Sequence, residues 1–484
     1  MTEAQSDSRG IPARAQVYSR ISGFFRSPAV KLVFILAIGM VLTVPLGIVW
    51  LLVAERDHNS RTVIRNIGQQ WGAPQRLSGP FVVLPYRVEV VGVKIVEVVA
   101  GTEEKPVILR KEEPDISEAV RYAVFTPEAL RIEGDIVTSV RERSIYKATV
   151  YTADLTVDGA FAPITGIKTS EKVTGIDWHR MQMVVGISGL SGIETSDLTL
   201  NSGKPILLEP GAGIMTGLDN GAVHAPVLFT DAGNASAGFT FRLSLSLRGS
   251  ENLSVTPAGR TTDVALRSPW PHPDFTGRFL PAEREIGNEG FSARWSVPHL
   301  ARPLPTQWPM TANRLGELMP YAFGVRFVTP VDFYSLVDRA LKYGLMFIGV
   351  VVIIVFALEI ATGVRVHGVQ YLLVGLMMIM FFVLLLAFAE HMGFGRAYLI
   401  AALTTGSVLT AYVALVFGRF SRALVSAVCF GLLYAILYLI LQLEDYALLA
   451  GACLRFVILT GVLFATRRID WSAIRPADEA PVQG

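Results

Sequence analysis

Two charges stand alone inside the apolar runs of this 484-residue chain: Glu359 within Tyr343–Val364 and Arg455 within Tyr446–Thr466. A charge deep in hydrocarbon is costly and calls for an opposite charge, a backbone carbonyl or water. Both runs are expected to cross the bilayer in the same direction, so the sequence predicts a Glu359–Arg455 pair, with water as the other partner available to each. Glu390 and His391 follow the run Val369–Ala389. Histidine titrates near neutrality, which allows a proton-linked role, although an interfacial loop is the better reading of that position. Trp270, His272 and Asp274 alternate with prolines in Pro269-Trp270-Pro271-His272-Pro273-Asp274-Phe275. The prolines fix an extended backbone that could present the three side chains as a binding surface. A rigid crossover whose aromatics fill the core is the stronger reading, because one His and one Asp do not make a metal site.

Catalytic signatures are otherwise missing. The chain has no G-x-x-x-x-G-K-[ST] phosphate loop, no H-E-x-x-H zinc site, no G-x-S-x-G elbow and no S-x-x-K pair with its companion motifs. Gly186–Gly192, rich in serine and glycine, fails the elbow spacing and reads as a glycine-loosened turn. Thr404, Thr405, Ser407 and Thr410 are small polar residues of the kind that lets helices pack closely. These residues assign no catalytic side chain, no cofactor and no metal, and the expectation is a chain that is not an enzyme.

The elements that must carry them are dictated by apolar run length, since a bilayer core takes ~20 residues of helix. Leu32–Ala54 is free of charge over 23 residues and carries Pro45, where a kink is expected. Five more runs follow: Tyr343–Val364, Val369–Ala389, Ala397–Phe417, Ala423–Leu441 and Tyr446–Thr466, joined by four to seven residues. Such short connections make them antiparallel neighbours in one bundle. Arg9, Arg14, Arg20, Arg26 and Lys31 precede the first run, and Arg365, Arg419, Arg422, Arg467, Arg468 and Arg475 fall in the loops that would share its side. Lysine and arginine stay cytoplasmic, so both termini are placed inside. Ile11–Phe25 fits either a surface-lying amphipathic helix or a flexible basic leader.

Between the first and second runs the texture changes. Phe81–Val99, Arg131–Val157 and Gly238–Leu247 alternate apolar and polar residues with the two-residue period of half-buried strands, separated by turns such as 209–213 and 218–221. The reading is a mostly antiparallel β domain, a sandwich or twisted open sheets, with a stalk helix around Arg56–Gln70. The layout is therefore a basic leader (1–31), a first span (32–54), a large β-rich periplasmic domain (55–340), a five-helix bundle (341–466) and a cytoplasmic tail (467–484). A net charge of +2 excludes the basic excess that nucleic-acid binding needs. Cys429 and Cys453 lie in apolar runs, match no zinc or redox spacing, and read as buried, unreactive thiols.

The same layout, with several ordered motifs, resembles the CreD family of inner-membrane proteins. The motifs are Ser268-Pro269-Trp270-Pro271-His272-Pro273, Phe279-Leu280-Pro281, Arg339-Ala340-Leu341-Lys342-Tyr343, Val369-Gln370-Tyr371-Leu372-Leu373-Val374-Gly375, Glu390-His391-Met392-Gly393-Phe394 and Thr466-Arg467-Arg468-Ile469-Asp470-Trp471. The leader up to Arg26 and the charge at Arg455 depart from that pattern. The resemblance implies a role in cell-envelope integrity or an envelope stress response, and it carries no catalytic residues or cofactor. Expected partners are the lipid bilayer and envelope or periplasmic proteins; the sequence is silent on oligomeric state. A transporter or channel is the rival reading, weakened by five consecutive spans without a matching half. A membrane-embedded enzyme comes third.

Overall fold

The computed structural model describes residues 28–100, 107–218, 221–227, 237–302, 304–310, 314–328, 333–364, 366–418, 420–443 and 447–466. The basic leader up to Ser27, Arg365, Arg419, Glu444, Asp445 and the tail from Arg467 onward lie outside the described residues, as do Asp219 and Asn220 of one predicted turn. The chain divides into two compact units, Ser60–Pro330 and a second formed by residues up to Asn59 with those from Val331 onward.

In the second unit, helix α1 (Pro28–Trp71) begins with the first apolar run and continues through Pro45 and the charged stretch beyond Ala54. Ile35, Ile38, Leu42, Leu46, Val49 and Val53 recur at three- and four-residue spacing and are buried, whereas Val33, Leu36, Met40, Val44, Ile48 and Leu51 are exposed. One face thus meets protein and the other presents only hydrocarbon, as expected of a helix at the rim of a bundle. The helices it meets are α2 (Phe333–Thr362) and α3 (Gly368–Met392). Both offer it glycine: a Cβ on Gly344 would lie 3.1 Å from Leu46 Cδ1, and one on Gly375 2.2 Å from Leu42 Cδ1. Small residues let the backbones approach closely where no hydrophobic effect drives association.

Helices α4 (Phe394–Phe417) and α5 (Phe420–Gln442) follow. With α1, α2 and α3 they make five helices long and apolar enough to cross a membrane. Among the described residues, four of these follow the β domain. The last, α6 (Ala447–Thr466), is helical over 20 residues, apolar but for Arg455 and a few small polar residues.

The unit Ser60–Pro330 is a two-sheet β structure. Its strands are β1 (Gln75–Ala100), β2 (Val107–Phe125), β3 (Ala129–Arg143), β4 (Tyr146–Phe161), β5 (Lys172–Ile176), β6 (Gln182–Ile187), β7 (Ile193–Leu200), β8 (Glu209–Pro210), β9 (Ala222–Pro226), β10 (Phe239–Ser250), β11 (Asn252–Thr256), β12 (Thr261–Ser268), β13 (Pro273–Gly277), β14 (Glu283–Gly287), β15 (Gly290–Val297), β16 (Gln307–Pro309) and β17 (Phe323–Phe327). One sheet runs β13-β17-β11-β1-β6-β9-β8, with β2 and β5 also on β1 and β16 on β2; the other runs β14-β15-β12-β3-β4-β10-β7. The alternation in β3 and β10 turns one side of each strand inward. The inner faces of both sheets contribute to a single core. Aromatic rings bridge them: Trp295 of β15 lies 5.7 Å from Phe323 of β17, and Phe275 of β13 lies 5.7 Å from Phe291 of β15.

The pairing is mostly antiparallel, but β1 runs parallel to β11 and β3 parallel to β12. The strand β11 lies between two crossings, one into the first sheet and one back to β12 in the second. The chain leaves the second sheet at Ser250 and enters the first at Asn252, turning on Glu251 at φ 60°. This left-handed conformation is unusual for a side chain with a Cβ. The Glu251 carbonyl accepts from Phe327 N at 2.8 Å, and Tyr151 of β4 donates its hydroxyl to Asn252 O at 2.7 Å. Burial pushes the Tyr151 phenol well above its usual range, so it remains a donor.

Candidate functional site

Glu359 lies in the last turn of α2 and is 9% exposed. One carboxylate oxygen accepts from Tyr371 Oη at 2.6 Å, and the other from the backbone N of Val366 at 3.2 Å. Thr362 Oγ1 donates to Leu358 O at 2.6 Å, Gly363 closes the helix at φ 69°, and His367 with Gln370 forms a capping box on α3. The chemistry is that of a joint: one carboxylate holds the end of α2, the connection, and the first turn of α3.

The predicted Glu359–Arg455 pair does not form. Arg455 is exposed on α6, with its guanidinium 5.8 Å from the ring centre of Tyr343. A Cβ on Gly451, one turn before it, would lie 2.8 Å from that ring. Tyr343 precedes Glu359 by 16 residues on α2. At ~1.5 Å rise per residue this separates the two charges by roughly 24 Å along the helix. Spacing within a run gives a depth, but the pairing also depended on where α6 packs.

A second polar cluster joins α3, α4 and α5. Tyr398 donates to Tyr434 O at 2.7 Å, Thr405 Oγ1 bonds Ala401 O at 2.7 Å and Tyr434 Oη at 2.8 Å, and Tyr434 reaches Met378 Sδ at 3.5 Å. Of the four small polar residues of this run, Thr405 is the one buried in the contact, while Ser407 turns back onto Leu403 O and is exposed. Glu390, at the end of α3, accepts from Tyr334 Oη at 3.3 Å; His391 beside it is exposed. Of the bundle's thiols, Cys429 is half-buried by protein and Cys453 is exposed at the protein surface.

In the β unit, Trp270, His272 and Asp274 do not converge on a ligand. Trp270 Nε1 donates to the carbonyls of His272 and Val328 at 3.2 and 3.1 Å. Asp274 is paired with Arg326 of β17, and His272 is exposed. The proline-rich stretch is an edge strand, β13, stitched to β17. Among the described residues no group of three or more His, Cys, Asp or Glu side chains could hold a metal.

The model of the inner membrane protein CreD matches residues 27–472. The chain belongs to the CreD family. It is 32% identical over 435 residues to the inner membrane protein CreD of Escherichia coli strain K12, covering 90% of this chain and 91% of that one. Several motifs that carried the resemblance are joints of this CreD-family fold. Tyr371 holds Glu359, Gly375 receives Leu42, and Gly393 at φ 81° separates α3 from α4.

Two further residues of the CreD-family chain gave no signal in the sequence. Gln75 opens β1 and is 1% exposed; its Nε2 donates to Gly72 O, to Gly189 O at 3.1 Å and to Arg248 O at 2.9 Å, while its Oε1 accepts from Gly189 N at 3.2 Å. A Cβ on Gly189 or Gly192 would run into this amide, at 2.6 and 2.7 Å. The glycines of 186–192 therefore serve close approach, not looseness, which corrects the sequence reading. Ser188 also takes part, donating to Pro74 O and accepting from Arg76 N, both at 2.8 Å. Trp71, the last residue of α1, donates to Tyr151 O and lies beneath Arg141 and Arg248.

Arg302 is the other surprise. It is 5% exposed; its Nη1 donates to Leu304 O at 3.0 Å, and among the described residues Nε and Nη2 have no partner. Burial lowers its pKa to about 10. A polar residue amid Pro, Leu and Ala carries no periodicity from which burial could be read.

Proposed function

We propose that this chain is a non-enzymatic inner-membrane protein that supports cell-envelope integrity, with the β unit as a periplasmic interaction platform and the helices as anchor. The observation that carries the reading is the β1–β2 ribbon. The two strands pair from Val82–Phe125 out to Ala100–Val107, whereas the neighbours on the far side of β1 end at Glu89. On this extension Val91, Val93, Ile95 and Ile116 are 64, 66, 59 and 64% exposed. Val91, Val93 and Ile95 alternate along one strand and so share a face, and Val91 stands opposite Ile116. A two-stranded ribbon with an apolar face is marginal alone and gains stability when that face is covered. Pro114, opposite Val93, and the charges of β2 blunt the edge against further strand pairing, which favours docking through the face.

The orientation in this reading is the one the loop charges favour: both termini cytoplasmic and the β unit periplasmic. Reporters active only in the periplasm should work when fused after Leu200 or Glu390 and fail after His367, Arg422 or Arg475. Activity after Arg422 would remove the orientation. Replacing Val93 and Ile95 by Asp should leave the protein inserted and folded, yet abolish its effect on the permeability of intact cells to a dye. A variant that restores the barrier as well as the parent chain does would overturn the platform. Five consecutive spans without a matching half weigh against transport; a flux through liposomes containing purified protein would reverse that judgement.

A further inference from the structure

The ribbon of β1 and β2 has two outer edges, and the chain treats them differently. On the β1 side β6 ends at Val83 and β5 at Glu89, so among the described residues no strand pairs with Val90–Ala100 on that edge. The backbone phase there is fixed by its neighbours. Asp177 N donates to Pro85 O at 2.9 Å on this edge, while Tyr122, opposite Pro85, turns its carbonyl the other way, to Met310 N at 2.9 Å. Antiparallel strands alternate in this respect, and the β1–β2 register runs unbroken to Ala100. Val91, Val93, Ile95, Glu97 and Val99 therefore aim N–H and C=O at the open edge, and the ligand that satisfies such a row is another strand.

The β2 edge is guarded. Pro114 is in phase with Tyr122 and so occupies a position where an N–H would otherwise face outward, among Lys111, Glu112, Glu113, Asp115 and Glu118. Nothing comparable guards β1. From Val90 to Ala100 it has no proline, Lys94 and Glu97 are its only charges, and most of the rest are β-branched.

The partner that fits is the same edge of a second copy. The open stretch is centred on Ile95. Placed antiparallel about a two-fold axis there, it pairs along its whole length, with Val93 beside Glu97 and Lys94 beside Val96 of the other copy, so neither charge opposes its like. Two ribbons, each marginal alone, become one four-stranded sheet. The guarded β2 edges then lie outermost, and pairing stops at two copies. We infer that β1 of one copy pairs edge to edge with β1 of another, antiparallel about Ile95, to form a dimer. This contact uses the edge, and it stands whether or not the apolar face docks a partner.

The test uses the full chain in detergent, carrying Cys429→Ala and Cys453→Ala, with light scattering for its mass. The mass of two chains is expected. On mild oxidation the further substitution Ile95→Cys should give a disulfide-linked dimer, because facing residues of a hydrogen-bonded pair lie ~5.5 Å apart, within disulfide range. Val93→Cys alone should not link, since its counterpart in the other copy is displaced by four residues, ~14 Å; expressed together with Glu97→Cys, it should. Ile95→Pro removes an N–H that faces the open edge and leaves the β1–β2 ladder intact, so it should fold as the parent does and dimerise more weakly by roughly tenfold or more. A monomeric parent chain, alone or with another protein's strand on this edge, would overturn the proposal. So would the absence of a link in the Ile95→Cys chain, or a folded Ile95→Pro protein that dimerises as the parent does.

Discussion

Gln75 is the most exposing point at which to test how the β unit is held together. Replacing it by alanine removes an amide that serves three carbonyls and one N–H, all within the protein. The two amide hydrogens contribute ~1 kcal/mol each, and stranding the Gly189 N–H costs a further ~1–3 kcal/mol, giving ~3–5 kcal/mol in total. At ~2–4 °C per kcal/mol for a domain of this size, the unfolding midpoint should fall by roughly 6–20 °C. Trp71 packs beside the same Arg248, so its fluorescence on heating the full chain in detergent reports the event. Gln75→Glu is the sharper perturbation. It keeps the shape but turns a carboxylate toward the oxygens of Gly72, Gly189 and Arg248, which raises its folded pKa above the ordinary ~4.3. Protons are then bound more tightly in the folded state, so the variant gains stability, relative to the parent, as pH falls through the raised value toward 4.3 and loses it as pH rises. A Gln75→Glu protein that melts with the parent at neutral pH, and shows no relative gain on acidification, would falsify the assignment of this amide as a donor.

Three further outcomes follow from the helices and the strap before β16. Glu359→Ala and Tyr371→Phe should each lower stability in detergent, and their double mutant should fall short of the sum by ~1–3 kcal/mol, because both delete one bond; additive losses would separate the two residues. Glu359→Gln and Arg455→Leu, by contrast, should combine additively in folded yield, since Arg455 contacts Tyr343 and not Glu359; recovery in the double mutant would restore the ion pair. Arg302→Met should be as stable as the parent or more so, by up to ~1 kcal/mol in thermal unfolding, because it removes a buried guanidinium with two unpartnered nitrogens. A loss of more than ~2 kcal/mol would show that the charge is matched in the folded protein.

The sequence was most legible where a single physical length or period decides the structure. Apolar runs announce helices because hydrocarbon thickness fixes their length, and the alternation in Arg131–Val157 and Gly238–Leu247 fixes β3, β4 and β10 because a strand has only two faces. Partners across space were less legible. Glu359 read as a charge to be paired with Arg455 because its run gave a depth but no neighbour; among the described residues a loop N–H and a tyrosine one connection away donate to it. Gln75 precedes the alternating stretch and looks like an outward polar residue, and nothing local marks three carbonyls converging on it. Glu251 gave no warning of the sheet change, since the left-handed turn there uses neither Gly nor Asn. The ordered motifs carried more than any of these local cues, and the joints at Tyr371, Gly375 and Gly393 give a physical reason why.

The parallel pairing of β1 with β11 also sets a timetable. Ser78 and Thr256 bond across it, 178 residues apart. At a synthesis rate of ~5–20 residues per second, about 9–36 s pass between the emergence of one strand and the arrival of its neighbour. For that interval β2, β5 and β6 can already pair with β1, but the first four residues, Gln75–Ser78, lack their parallel neighbour. The β11-β1-β6 run of the first sheet therefore completes only when residue 256 has been made, and β17, which pairs with β11, comes later still, at Phe323–Phe327.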